Sequence, residues 1–368
     1  MTMRQNKREY YLDWIRVIVV LLLVPFHTAV SFSHIGKGYI YSAEPVDSFF
    51  YVFLSDFLNL WFMRMLFFIS GMASFMALKR RTEKEFIVDR VKRLLLPILF
   101  VLLTIGPCSA YLLAVNHYGF IGNFLQFYPN FFIEPKKYLF WGHMWFCLYL
   151  LVYSFLIIPL HHLFEQRNNY IGKFIWFLSR GNHILLPMFF IMLLEALLRP
   201  YFPGYQSFWG DWANVIVYFS FYLLGYSAGR DTCLIVAIHK KRIPFLAIAV
   251  LSTVIHIVFK RFYIQSHISS IFWGSGAYSW VMFFLSLFRQ HANKDSKVLQ
   301  YLSRSSFSLY VFHYLILSLF NFILLRTGLN HYIVWSLTTL GTYGFFFLLY
   351  KSVLKKFRVL RFVGGIKV

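Results

Sequence analysis

The stretch Asp13-Trp14-Ile15-Arg16, with the apolar run that follows it as far as Pro25-Phe26-His27, decides how this chain is organised. The run is long and apolar enough to cross a bilayer as the first of several helices. At about 100° per residue, Asp13, Arg16 and His27 share one face, and the rise from Arg16 to His27 is about 16 Å, roughly half of the hydrocarbon core. Ionisable side chains at such depth are costly in lipid, so this face is the first candidate for a functional site.

Apolar runs of similar length recur along the whole chain, and 59% of its 368 residues are hydrophobic. This composition predicts an all-α fold: a polytopic membrane helix bundle of about ten transmembrane helices. We expect a single transmembrane domain over residues 1–368, with no soluble extracytoplasmic domain and no cleaved signal peptide. The predicted spans are 11–33, 49–78, 93–115, 140–161, 183–199, 212–229, 243–260, 270–289, 305–326 and 331–351.

Most of the 36 lysines and arginines fall in alternate connections and in the two termini. By the positive-inside rule, this distribution predicts that both termini are cytoplasmic. The net charge of +22 therefore reflects orientation in a plasma or inner membrane and a match to anionic lipid, and no nucleic-acid partner is expected. The densest cluster lies in the second connection: Lys79, Arg80, Arg81, Lys84, Arg90, Lys92 and Arg93.

The three cysteines, Cys108, Cys147 and Cys233, form no CxxC pair and are interpreted as free thiols. Neither a metal nor a permanently bound cofactor is expected. The first outer loop contributes one candidate acid, Glu44. The longest outer connection, residues 116–139, is rich in aromatic residues and proline, and either an amphipathic lid or an interfacial anchor is compatible with it.

His27 is the strongest catalytic candidate. Pro25 removes a backbone hydrogen bond just before it and is expected to kink the helix. Arg64 lies about 21 Å above the cytoplasmic end of the second span, so the two side chains reach similar depths if their helices are neighbours. A nearby cation favours a neutral imidazole, which suits a general base acting on a hydroxyl. A core histidine that is hydrogen-bonded across helices is the alternative.

Arg90 and Arg93 open the third span at the predicted cytoplasmic surface, one turn apart on the same helix face. Helix N-terminal amides there also favour anions, so a phosphorylated ligand is one interpretation. From the residues alone, ordinary anchoring by the basic cluster is the favoured explanation.

Several further residues are expected to act in packing or in support of the site before any direct role. Small residues at Ser70 and Gly71 allow another backbone or a ligand to come close. Trp145 is a candidate interfacial anchor, whereas His143 is expected to face a polar cavity. The remaining candidates are Tyr310 and His313 in the ninth span and the intramembrane acids Asp56 and Glu195.

Arg16 and His27 form an Arg-x10-His pattern, and Arg90-Val91-Lys92-Arg93 forms an Arg-x-x-Arg pattern at the start of the third span. Together with three other stretches, these motifs resemble the acyltransferase 3 family of integral-membrane acyltransferases. The three stretches are Phe67-Phe68-Ile69-Ser70-Gly71, His143-Met144-Trp145-Phe146 and Ser308-Leu309-Tyr310-Val311-Phe312-His313. The likeness extends over nearly the whole chain and is strongest in the first hundred residues. Four short stretches are most similar to a branch inferred to succinylate periplasmic glucans: Arg8-Glu9-Tyr10-Tyr11-Leu12-Asp13, Pro25-Phe26-His27, Ser42-Ala43-Glu44-Pro45 and Phe62-Met63-Arg64-Met65.

The resemblance implies a cytoplasmic acyl-CoA donor, with acetyl or succinyl as the acyl group, and an acceptor hydroxyl on an extracytoplasmic glycan or cell-envelope molecule. Arg90 and Arg93 would then hold the CoA phosphates, and Asp13 and Arg16 would line the entrance. His27 would deprotonate the hydroxyl while Arg64 or Arg16 stabilises the oxyanion. An acyl-imidazole intermediate on His27 is the mechanistic rival.

A multipass transporter or flippase of an envelope precursor is the alternative from another class, because midplane charges also line translocation paths. Charges concentrated in the first three spans, and the lack of paired broken helices in matching halves, argue mildly against it. A structural or assembly protein is the third interpretation, and it has no need of a histidine at mid-depth. A homodimer is compatible with the sequence.

Overall fold

A computed structural model describes residues 9–33, 45–138, 142–165, 170–204, 208, 210–261 and 267–366, without the side chains of residues 136 and 261. Within these ranges the chain is helical and contains no strand, which confirms the predicted all-α class. In chain order, the α-helices are α1 Tyr10–Val30, α2 Phe49–Leu78, α3 Glu83–Arg90, α4 Leu96–Leu103, α5 Ile105–His117, α6 Phe124–Ile133, α7 Pro135–Tyr138, α8 Trp145–Glu165, α9 Tyr170–Leu178, α10 Leu186–Leu198, α11 Trp212–Arg230, α12 Cys233–Lys240, α13 Arg242–Arg261, α14 His267–His291, α15 Lys297–Leu324, α16 His331–Leu349 and α17 Arg358–Val363.

In the described part of the chain, eight helical segments are long and apolar enough to cross a membrane. A ninth is formed if α9 and the segment His183–Leu198, which are bent by 102° at their junction, count as one broken span. Helix α11 has 19 residues but does not pass the same test, so the predicted count of about ten remains a prediction.

The directions of the helices favour a count of ten membrane spans. Helix α1 runs parallel to α15, because Arg16 contacts Ser303 near their starts, and Ser31, just after α1, contacts Asn321 near the end of α15. Two parallel spans are separated by an odd number of crossings. Six segments between α1 and α15 pass the length and apolarity test, with the bent pair counted as one span. Helix α11 supplies the seventh crossing.

Two glycines bring α2 and α11 into close contact. A Cβ at Gly71 would lie 1.9 Å from the Tyr222 carbonyl oxygen, and a Cβ at Gly225 would lie 1.8 Å from that of Phe68. The side chain of Ser74 donates to the carbonyl of Ser70 one turn away. The small residues of this stretch therefore serve helix packing, as the packing interpretation of Ser70 and Gly71 predicted.

Pro25 lies inside α1, and the helix continues beyond it as far as Val30. Because proline has no N–H, the carbonyl of Leu21 one turn earlier loses its helical donor. The hydroxyl of Tyr343 on α16 donates to this oxygen instead, and the indole of Trp335 donates to the carbonyl of Pro25. Helix α16 thereby supplies the hydrogen bonds that a lipid-facing proline site would lack.

The third span is broken near Thr104, where α4 ends and α5 begins. Pro107 leaves the Leu103 carbonyl without its helical donor, and the hydroxyl of Tyr128 on α6 donates to it at 3.1 Å. Helix α6 also buries Phe127 and Phe131 against α5. Since Leu125 and Ile133 of α6 are 79% and 72% exposed, α6 combines a packed face with an apolar outer face, as the anchor interpretation requires.

Candidate active site

The parallel packing of α1 and α15 builds the site. At their second turns, Nη2 of Arg16 donates to the hydroxyl of Ser303 at 2.6 Å, and it also donates to Asp13 at 2.8 Å. Further along, the ring of His27 lies against His313, with 5.4 Å between centroids. The two helices therefore keep one register from the arginine to the histidine. The face predicted from Arg16 to His27 is the face that meets α15.

His27 is half-buried, and its ring is held by packing. Besides His313, it meets the edge of Tyr314 at 5.8 Å and that of Phe26 at 5.0 Å. None of the hydrogen bonds among the described residues involves its imidazole nitrogens. The ring is thus free to use both nitrogens toward a substrate or a neighbouring side chain.

His313 is fully buried at the centre of the cluster. Its Nδ1 lies 2.8 Å from the carbonyl oxygen of Tyr310 and 3.1 Å from that of Leu309, both in the preceding turn. Because a carbonyl only accepts, Nδ1 carries the proton and Nε2 carries the lone pair. No described group forms a hydrogen bond with this buried Nε2.

His143 completes a set of three imidazoles. Its centroid lies 5.1 Å from that of His313, and its ring stacks on Tyr314 at 5.1 Å with 17° between planes. Nε2 of His143 donates to the carbonyl of Val311 at 3.0 Å, while the Tyr310 hydroxyl donates to the His143 carbonyl. Three residues that the sequence assigned to support, His143, Tyr310 and His313, thus form one cluster, which meets His27 through His313.

A small cavity of about 20 Å³, room for about one water molecule, adjoins this cluster between α4, α5 and the segment Gly142–Met144 that precedes α8. Its wall includes His143 and Tyr314, which face the histidine cluster, and Ser109, whose buried hydroxyl has no hydrogen-bond partner among the described residues. The rest of the wall is formed by apolar residues and glycines: Ile98, Val101, Leu102, Ile105, Gly106, Gly142 and Met144. The sequence predicted a polar cavity at His143, whereas this one is mainly apolar.

Arg64 lies apart from the histidine cluster. Its guanidinium is 1% exposed, donates to Glu195 at 3.2 Å and to the carbonyls of Asn59 and Leu60, and lies 5.2 Å from the Trp273 ring. None of its described contacts involves His27. Arg64 is therefore not the nearby cation that was expected beside His27, because its side chain turns toward α10 and α14.

Glu195 is the residue that the sequence placed only among packing acids, yet it organises a buried ionic network. Arg199 donates to both of its oxygens, at 2.7 and 3.0 Å, and also to Asn214 at 2.9 Å. Asn214 in turn donates a hydrogen bond to Asp211, which also accepts one from the Tyr149 hydroxyl. An acid and an arginine four residues apart in an apolar span were the available signal, but nothing local connected them to Arg64.

Trp145 is only 5% exposed, and its ring stacks on Tyr218 at 5.5 Å. Tyr218 in turn lies beneath the Arg64 guanidinium, with 5.4 Å to the ring centroid. The prediction of an interfacial anchor is therefore wrong, because the indole packs inside the bundle. Trp145 supports the ionic network and not the membrane surface.

Arg90 and Arg93 were predicted to share one helix face, but their side chains have different surroundings in the structure. Arg90 donates to the Ser74 hydroxyl at 3.2 Å and lies over Phe86, whereas the 54% exposed Arg93 pairs with Asp89 at 2.7 Å. A π-helical segment, Val91–Leu95, begins between them and widens the turn. One guanidinium thus faces the bundle and the other faces outward.

Asp56 and Glu44 complete the predicted set. Both oxygens of Asp56 accept from Lys260 at 2.7 Å, so this acid forms an ion pair between α2 and α13, away from the histidine cluster. Glu44 lies outside the described residues. Among the described residues, no group of histidine, cysteine or acidic side chains has the arrangement of a metal site.

A family model described as an acyltransferase domain matches residues 9–351. Glucans biosynthesis protein C of Escherichia coli strain SMS-3-5 / SECEC is 38% identical over 93 residues, which are 25% of this chain and 23% of that protein. The protein of the same name from Escherichia coli O157:H7 strain EC4115 is 37% identical over 93 residues, with the same coverage.

The matched segment thus spans about a quarter of those relatives, and no solved structure matches the chain. The family model, in contrast, covers nearly all of the chain, including the stretches that contain the Arg-x10-His and Arg-x-x-Arg patterns. On that match, and on the many apolar helices of the fold, this polytopic membrane protein belongs to the acyltransferase 3 family of acyltransferases.

Proposed function

We propose that this protein transfers an acyl group from cytoplasmic acyl-CoA to a hydroxyl of an extracytoplasmic glycan or cell-envelope molecule. The observation that carries the proposal is the half-buried His27, which lies against His313 and Tyr314 and in register with Arg16; Tyr314 also lines the cavity. An imidazole whose nitrogens are free can act on a substrate hydroxyl. The plasma or inner membrane is the proposed location, since the donor is cytoplasmic and the acceptor is not.

In the proposed step, His27 removes the proton of the acceptor hydroxyl, and the oxygen attacks the thioester carbonyl. The carbon–sulfur bond then breaks, and the imidazolium returns the proton to the CoA thiolate. Arg64 is engaged with Glu195, and Arg16 is about 16 Å below His27 along the helix. Neither arginine is therefore assigned to the oxyanion, and Arg16 is placed with Arg90 and Arg93 on the donor side.

The cavity suggests which acyl group is preferred. No lysine or arginine is among the described residues of its wall. A succinyl carboxylate there would be buried without a cation, which is unfavourable, whereas an acetyl methyl group fits an apolar wall. We therefore propose that the protein takes acetyl-CoA in preference to succinyl-CoA.

Release of free CoA thiol by the purified protein in liposomes, with each donor and an envelope glycan fraction, tests the proposal. His27→Ala is expected to abolish release, whereas His117→Ala, which changes an exposed histidine at the end of α5, is expected to leave it intact. Normal turnover in His27→Ala would refute the assigned role. Transport without thiol release would favour the flippase alternative.

Arg90→Ala combined with Arg93→Ala tests the donor site. Loss of charge-assisted phosphate contacts is expected to raise the KM for acyl-CoA about tenfold or more. Lys79→Ala combined with Arg80→Ala removes two exposed cations of the same cluster and serves as the matched control. An equal KM in both double variants would return Arg90 and Arg93 to membrane anchoring.

A rapid-quench experiment with radiolabelled acyl-CoA distinguishes direct transfer from a mechanism that passes through an acyl-imidazole intermediate. Label that stays on the protein before any acceptor is added would contradict direct transfer. Mass spectrometry of envelope glycans from cells that carry the wild type or His27→Ala then identifies the acceptor.

A further inference from the structure

The imidazole of His313 presents a chemical problem that its own surroundings do not solve. It is fully buried, and its Nε2 has no hydrogen-bond partner among the described residues. Buried polar atoms in proteins nearly always have one, and an exception calls for a functional explanation. The Nδ1 proton is directed to the Tyr310 and Leu309 carbonyls, so Nε2 is an acceptor with which no described donor forms a hydrogen bond.

The neighbouring imidazoles narrow the choice of donor. In its neutral form His143 has one N–H, and that group donates to the Val311 carbonyl. Its remaining nitrogen is an acceptor like Nε2 of His313, so the two rings cannot satisfy each other. His27, with 5.4 Å between its centroid and that of His313 and 35° between the planes, has an N–H that is not committed to any described residue.

We propose that His313 is a positioning residue for the transfer reaction: its Nε2 accepts a hydrogen bond from one nitrogen of His27. This inference rests on the proposed function of His27. Because the His27 ring has no hydrogen bond of its own among the described residues, turning it toward His313 breaks none. The link fixes which His27 nitrogen carries the proton, so the other is a lone pair that faces the acceptor hydroxyl.

The proton count is unchanged by this link. The hydroxyl proton moves to His27, and the resulting imidazolium donates a stronger, charge-assisted hydrogen bond to His313. The proton that left the hydroxyl then passes to the CoA sulfur as the thioester bond breaks. His313 stays neutral throughout, and its Nδ1 proton remains on the backbone carbonyls.

Three substitutions of His313 separate its hydrogen bonds from its volume. His313→Gln places an amide oxygen near the position of Nε2, so it can accept from His27. His313→Asn places an amide near Nδ1 and nothing near Nε2, and His313→Leu has neither group. Ser318→Ala removes a buried hydroxyl that donates to the carbonyl of Tyr314 on the same helix, and this variant is the matched control.

We expect kcat to fall about 10- to 100-fold in His313→Leu and His313→Asn, which is the effect of one hydrogen bond to a charged group. The KM for acyl-CoA should stay near the wild-type value, and His313→Gln should recover most of kcat. Each variant is measured on monodisperse protein, and the comparison of Gln with Asn holds even if the leucine variant does not fold.

A kcat in His313→Asn that equals or exceeds that of His313→Gln would overturn the inference, as would an unchanged kcat in His313→Leu. If His27→Ala is inactive while all His313 variants turn over normally, the inference fails alone. If the wild type releases no thiol, or His27→Ala is fully active, the proposed function itself fails.

Discussion

Replacing Glu195 by glutamine should destabilise this protein more than replacing Arg64, although the arginine is the larger buried side chain. Glu195 is 0% exposed and accepts three N–H···O hydrogen bonds of 2.7 to 3.2 Å from the guanidiniums of Arg64 and Arg199. In Glu195→Gln, the guanidiniums of Arg64 and Arg199 face a neutral amide. Breaking a buried ion pair by removing one partner costs about 3–5 kcal/mol.

Arg64→Met leaves a different set of interactions around Glu195. Glu195 keeps both hydrogen bonds from Arg199, so its charge is still paired. What is lost is one contact to the carboxylate and the bonds to two backbone carbonyls, for which about 1–3 kcal/mol is expected. The structure therefore predicts a difference of about 2 kcal/mol between the two variants.

Chemical unfolding in mixed micelles, with the free energy extrapolated to zero denaturant, measures this order. Glu134→Gln is the control, because its carboxylate is 49% exposed and pairs with Lys137 at 3.4 Å, so a change below about 1 kcal/mol is expected. An unfolding free energy in Glu195→Gln equal to that of the control, or above that of Arg64→Met, would refute the network.

Two further substitutions test close packing and an outlying ion pair. Gly225→Ala should destabilise the protein by about 1–3 kcal/mol or more, because the new Cβ would lie 1.8 Å from the Phe68 oxygen. In the control Gly344→Ala, the new Cβ meets nothing within 4 Å, so this change should be neutral or stabilising. Equal unfolding midpoints in the two variants would contradict the α2–α11 packing. Lys260→Met removes the partner of the 7% exposed Asp56 carboxylate and should lower the free energy of unfolding by about 1–3 kcal/mol. A second change, Asp56→Asn, should restore most of that stability. No recovery in the double variant would count against this ion pair.

Local physics allowed much of the protein to be predicted. Helical spans follow from runs of apolar residues, and the shared face of Arg16 and His27 follows from the helical period. The close approach at Gly71 was foreseen from residue size alone. The ordered motifs from Arg16 to His313 were enough to identify the family that the domain match then confirmed.

What needed the tertiary structure was which helix each face meets. Arg64 finds its acid 131 residues away, His27 meets a histidine of α15, and Trp145 is buried where a surface position was predicted. Apolar periodicity shows that a face is buried but not against which helix, because every span in a membrane protein is apolar. The partners are selected by close packing and by the need of each buried polar group for a hydrogen bond, and both depend on the whole bundle.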